Sequence, residues 1–71
     1  MVKPTRVTNS IRALRDARGL TQAELASRVG VTRQTLIAIE AGRYSPTLEL
    51  AFQLARVFEV GLDDLFQYPE A

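Results

Sequence analysis

Four side chains near the middle of the sequence, Arg33, Gln34, Ile37 and Ala38, have the types and spacing to meet the edge of a base pair. Arg33 and Ile37 are four apart, as are Gln34 and Ala38, so a helix here puts all four on one face, away from Leu36 and Ile39. Arginine can bond guanine O6 and N7 together, glutamine can bond adenine N6 and N7, and small apolar groups meet the thymine methyl. Ile37 is informative because an isoleucine opposite the buried stripe gains nothing from folding, although single exposed apolar residues are common. For Arg33 a phosphate contact or a solvated charge fits the sequence as well.

Other chemistries lack their residues. The 71-residue chain has no cysteine and no histidine, which removes disulfides, thiolate nucleophiles, the commonest zinc ligand and the commonest general base. No metal site, cofactor or enzymatic activity is expected. No stretch approaches the roughly 20 apolar residues of a membrane span, and Met1 to Ser10 is too polar for a signal-peptide core. A soluble, cytoplasmic protein is expected, and the length gives room for one domain spanning 1–71.

The net charge of +1 hides an asymmetry. Residues 1–35 carry Lys3, Arg6, Arg12, Arg15, Arg18, Arg28 and Arg33 against Asp16 and Glu24, a net of +5. Residues 36–71 carry Arg43 and Arg56 against Glu40, Glu49, Glu59, Asp63, Asp64 and Glu70, a net of −4. A basic half suits a face that meets phosphate, and chance clustering on a solvated surface is the plainer alternative.

The elements that must position these groups are helices. Asn9 to Arg18 carries Ile11, Leu14 and Arg15 on one stripe, with Thr8 or Asn9 as cap and Gly19 as stop. Thr21-Gln22-Ala23-Glu24 is a capping box, followed by Leu25, Ala26 and Val29 and a stop at Gly30. Thr32 caps a third helix to about Ala41, ended by Gly42. Ser45-Pro46 reads as a cap and first turn for a fourth helix, with Leu48, Ala51, Leu54, Ala55 and Phe58 facing the core. A short fifth helix runs from about Leu62 to Phe66, with Asp63 and Asp64 suiting its positive end. Between the second and third helices, Gly30-Val31 makes a turn that needs positive φ, while Leu25, Val29, Val31, Leu36 and Ile39 share an interior. An ordinary helical hairpin would fit any one of these residues, but their joint spacing is more specific.

That spacing resembles the phage repressor and Cro type of regulator, the XRE family. The resemblance rests on Leu14-Arg15, Gly19-Leu20-Thr21-Gln22, Glu24-Leu25-Ala26, Gly30-Val31-Thr32-Arg33-Gln34-Thr35 and Ile39-Glu40-Ala41-Gly42-Arg43-Tyr44-Ser45-Pro46, and covers roughly residues 9 to 67. It implies an all-α, five-helix, lambda-repressor-like domain with a helix-turn-helix unit at 21–41. The helix at about 32–41 would enter the major groove of double-stranded DNA. By resemblance Gln22 contacts phosphate, as do groups in the loop of Arg43, Tyr44 and Ser45, while Thr32 and Thr35 bring hydroxyls to the start of the third helix. Tyr44 could as readily pack its ring on the domain edge. The resemblance also pairs Arg15 with Glu40 as a structural ion pair between the first and third helices.

The ends point to a homodimer. Phe58, Leu62, Leu65, Phe66 and Tyr68 offer more apolar surface than a last short helix needs, and part of it is expected at an interface. Short members of the family pair the segment before the first helix with the tail as a β-ribbon. Here that would join Arg6-Val7-Thr8 to Phe66-Gln67-Tyr68 between Pro4 and Pro69. The expected function is a DNA-binding transcriptional regulator, a repressor on a palindromic operator. Two alternatives stay open: an antitoxin holding a toxin protein, and a protein-interaction module.

Overall fold

The computed structural model describes residues 5–69. In chain order these form β1 (Thr8–Asn9), α1 (Ile11–Ala17), α2 (Gln22–Val29), α3 (Arg33–Glu40), α4 (Leu48–Phe58), α5 (Leu62–Leu65) and β2 (Phe66–Gln67). The five helices match the expected architecture. The ribbon forms too, one residue further along its first strand than expected: β1 and β2 run antiparallel with Thr8 opposite Gln67 and Asn9 opposite Phe66. The Ser10 N–H extends the pairing to the Leu65 carbonyl at 2.9 Å. Pro4, expected to bound the first strand, lies outside the described residues.

Local chemistry explains most boundaries. Thr21 Oγ1 accepts from the Glu24 N–H at 3.0 Å and Glu24 Oε1 accepts from the Thr21 N–H at 2.9 Å, the reciprocal capping box that opens α2. Gly30 ends it at φ 74°, where any residue with a Cβ is strained. Thr32 caps α3 by accepting from the Thr35 N–H at 3.1 Å. At α1 the cap residue is Ser10, whose side chain caps nothing. Asn9 does the work from one residue earlier, its Oδ1 accepting from the Ile11 N–H.

At α4 the expectation fails. Helix begins at Leu48, and Thr47 rather than Ser45 is the cap, accepting from the Leu50 N–H at 3.2 Å. Ser45-Pro46 therefore belongs to the preceding loop. Leu48, expected in the core, is 67% exposed. Its period is right, but it lies in the first turn, beyond the elements that cover Ala51, Leu54, Ala55 and Phe58.

A single buried cluster joins the helices: Ile11 from α1, Leu25, Ala26 and Val29 from α2, Leu36 and Ile39 from α3, Leu54, Ala55 and Phe58 from α4, and Leu65 from α5. Leu14, Val31 and Tyr44 pack against it half-buried. Phe58 and Leu65, expected at a dimer interface, have no exposed surface. A core of this size needs its largest side chains at the centre, and these two close it at the C-terminal end. Among the described residues no helix is long and apolar enough to cross a membrane.

Candidate nucleic-acid interface

Burial of Leu36 and Ile39 fixes which side of α3 faces outward. Ala26, 2% exposed, is small enough to let α2 and α3 cross closely. Arg33 and Gln34 then stand exposed on the first turn of α3, with Ile37 and Ala38 half-buried behind them. Ile37 is thus partly covered, which makes it less conspicuous than its spacing implied. Arg33 Nη2 donates to Gln22 Oε1 at 3.4 Å, so the first residue of α2 steers the first residue of α3.

Two open grooves flank this helix. One lies between α1, α2 and α3 and is lined by Arg12, Thr21, Gln22 and Arg33. The other lies between the C-terminal end of α2, α3, the following loop and the first turns of α4, and is lined by Thr35, Tyr44, Ser45, Thr47, Glu49 and Gln53. Of the residues expected to touch phosphate, Gln22 falls in the first groove, and Thr35, Tyr44 and Ser45 in the second. Arg43 is exposed in the same loop, its N–H held by the Ala38 carbonyl at 3.0 Å. Tyr44 packs its ring against the core, the structural role its sequence context allowed.

Thr32 Oγ1 accepts from the Thr35 N–H at 3.1 Å and lies 3.0 Å from Thr35 Oγ1, so the two hydroxyls share a hydrogen bond at the start of α3. Either hydroxyl can supply that proton, which leaves the other free to donate.

Beneath α3 two polar ties fix its seat. Arg15 Nε and Nη2 donate to Glu40 Oε2 and Oε1 at 3.2 and 3.3 Å, and Arg15 Nη1 donates to the Leu20 carbonyl at 3.0 Å. The side chains are 12% and 9% exposed, so the pair that the family resemblance implied is largely shielded. The second tie is Asn9 Nδ2, donating to the Ile39 carbonyl at 3.0 Å.

Sequence reading missed two of these residues. Arg12 could have been found, because it stands three residues before Arg15 on one helix. Asn9 could not, because only its capping oxygen is legible before a helix and its amide nitrogen acts 30 residues away. Among the described residues no cluster of acidic, cysteine or histidine side chains could hold a metal ion.

This arrangement, a capped helix crossing a second helix over a positive-φ turn with Arg33 and Gln34 exposed on its outer face, defines a helix-turn-helix fold. Residues 11–65 match the helix-turn-helix family model. An uncharacterized HTH-type transcriptional regulator of Methanothermobacter thermautotrophicus is 58% identical over 57 residues, covering 79% of this chain and 83% of its own. One from Methanocaldococcus jannaschii is 47% identical over 62 residues, covering 87% and 94%. The cryptic phage CTXphi transcriptional repressor RstR of Vibrio cholerae is 40% identical over 58 residues, covering 82% of this chain and 52% of its own. Among solved structures, the restriction-modification controller protein C.AhdI of Aeromonas hydrophila superposes with a TM-score of 0.70 at 30% identity, covering 76% and 82%. The chain belongs to the helix-turn-helix family of DNA-binding transcriptional regulators and is not an enzyme.

Proposed function

We propose that residues 1–71 act in the cytoplasm as one DNA-binding unit that binds a palindromic operator as a homodimer and represses transcription by occluding a promoter. The arrangement around α3 carries the reading. Side chains able to read base edges, Arg33, Gln34, Ile37 and Ala38, stand between two grooves whose donors suit phosphate, just as a major groove lies between two backbones. Gln22 and Arg12 hold one strand; Thr35, Arg43, Tyr44 and Ser45 hold the other. The name of the Vibrio cholerae relative, a transcriptional repressor, supports the sign of regulation.

Dimerisation uses the face left after Phe58 and Leu65 are withdrawn. Leu62 and Phe66 line an open apolar depression with Val7, Pro46 and Leu48. Leu48, Phe52 and Tyr68 are 67, 51 and 67% exposed, the largest apolar side chains left uncovered among the described residues. A second copy seated on the depression, which reaches Ser45 and Pro46 of the loop after α3, would place the two-fold axis on the side of that loop.

The test is binding to tiled duplexes from the gene's own upstream region, with stoichiometry by sedimentation. Two chains per preferred duplex, on half-sites about 10 base pairs apart, support the reading. One chain per duplex refutes the dimer, and no preferred duplex refutes the operator.

A further inference from the structure

Asn9 joins three elements through one amide. Its backbone lies in β1 opposite Phe66 of β2. Its Oδ1 accepts from the Ile11 N–H at 3.1 Å, at the start of α1. Its Nδ2 donates to the Ile39 carbonyl at 3.0 Å and, more weakly, to the Glu40 carbonyl at 3.5 Å, at the end of α3.

The last four carbonyls of a helix have no partner within it. In α3 those of Ile37, Ala38 and Ile39 receive the N–H groups of Ala41, Arg43 and Gly42, each at 3.0 Å. The Glu40 carbonyl is left to Asn9. The terminal ribbon therefore grips the reading helix by its C-terminal end, while Thr32 and Gln22 hold the other end. With only 8 residues α3 is short, about 12 Å, so a displacement of about 1 Å at Glu40 tilts it by roughly 5° about its held first turn and swings the outward side chains of Arg33 and Gln34 through the same angle.

The geometry points to Asn9 as a positioning residue that carries the state of the β1–β2 ribbon to α3, so that ribbon pairing sets the angle at which the helix reads DNA. The inference rests on the reading that α3 docks in a major groove. Because Phe66 belongs both to the ribbon and to the apolar face, a second copy packing there steadies the ribbon and, through Asn9, tightens sequence-specific binding. By linkage, specific DNA tightens the dimer in the same proportion.

Asn9→Ser is the discriminating variant. Its hydroxyl still accepts from the Ile11 N–H but is too short to reach α3. Gln67→Pro removes an N–H from the ribbon, together with the Gln67 Nε2 bonds to the Asp63 and Asp64 carbonyls, while leaving Asn9 intact. Both variants and their combination are compared with wild type on a preferred and a scrambled duplex, well below each melting temperature. The expected result is that Asn9→Ser loses about tenfold in specific affinity, equivalent to one misplaced base contact, and less than threefold on the scrambled duplex. Gln67→Pro loses specific affinity in the wild-type background and adds under twofold to Asn9→Ser, because the signal no longer passes. A merely structural role for Asn9 moves the melting temperature but leaves the ratio of specific to non-specific affinity unchanged, and that result overturns the inference. Losses that multiply independently overturn it too. A wild type with no preferred duplex removes the underlying reading as well, so the two failures are told apart on wild type alone.

Discussion

Replacing Arg15 by methionine should cost more stability than replacing Glu40 by glutamine, although each removes one half of the same ion pair. The asymmetry follows from what each partner keeps. Glu40, 9% exposed, receives both of its guanidinium hydrogen bonds from Arg15. Arg15 also donates to the Leu20 carbonyl at 3.0 Å and lies 3.7 Å from Asp16 Oδ1. Stranding a buried charge costs about 3–5 kcal/mol, and the remaining solvent access lowers this to about 2–4 kcal/mol for Arg15→Met. In Glu40→Gln the guanidinium retains Leu20, Asp16 and one amide oxygen, so the loss is about 1–1.5 kcal/mol. Methionine keeps much of the apolar stem, which isolates the charge from packing. The double variant leaves no stranded charge and should cost at least about 1 kcal/mol less than the sum of the singles. Urea unfolding followed by far-UV circular dichroism, at one fixed protein concentration, measures all four corners. The reasoning is refuted if Arg15→Met loses less than about 1 kcal/mol, or if the two effects add within about 0.5 kcal/mol.

Three further outcomes are expected. Glu59 ends α4 in the left-handed region at φ 56°, so Glu59→Gly should stabilise by about 0.5–1 kcal/mol, and a melting temperature that falls would contradict this. The Glu24 carboxyl is held below its usual range, first by the Thr21 N–H, then by the Thr21 hydroxyl, and also by the Arg28 charge. A depressed folded-state pKa contributes stability that is present above the unfolded value and lost as pH falls through the folded one. Glu24→Gln should therefore destabilise at neutral pH and converge on wild type in acid; a gap unchanged on acidification, followed by thermal melts, would exclude this role. Leu48→Ser with Phe52→Ser should shift sedimentation toward monomer without lowering the melting temperature of the single chain, since both side chains are exposed. An unchanged dimer would place the interface elsewhere.

The helical frame was legible because its signals are local. Thr21 and Glu24 cap across three residues, and Gly30 needs only its own φ. The Arg15–Glu40 pair came from resemblance, and nothing in spacing alone would have joined residues 25 apart. Errors arose where local signals compete or tertiary packing decides. Ser45-Pro46 and Thr47 are both acceptable helix starts, and the choice turned on where the loop after α3 sets α4 down. Phe58 and Leu65 looked surplus because composition cannot tell an apolar residue that closes a core from one that stays outside. That the Thr32 and Thr35 hydroxyls bond each other is a matter of rotamer rather than sequence.

The most direct test of the account is binding of wild type and Gln34→Ala to a preferred duplex and a scrambled one across a salt series. The account predicts that wild type prefers its duplex and that Gln34→Ala loses the preference. Both proteins should keep the same slope of log affinity against log salt, because Gln34 reads a base and neutralises no phosphate. A Gln34→Ala protein that discriminates as well as wild type would contradict the assignment of α3 as the reading helix.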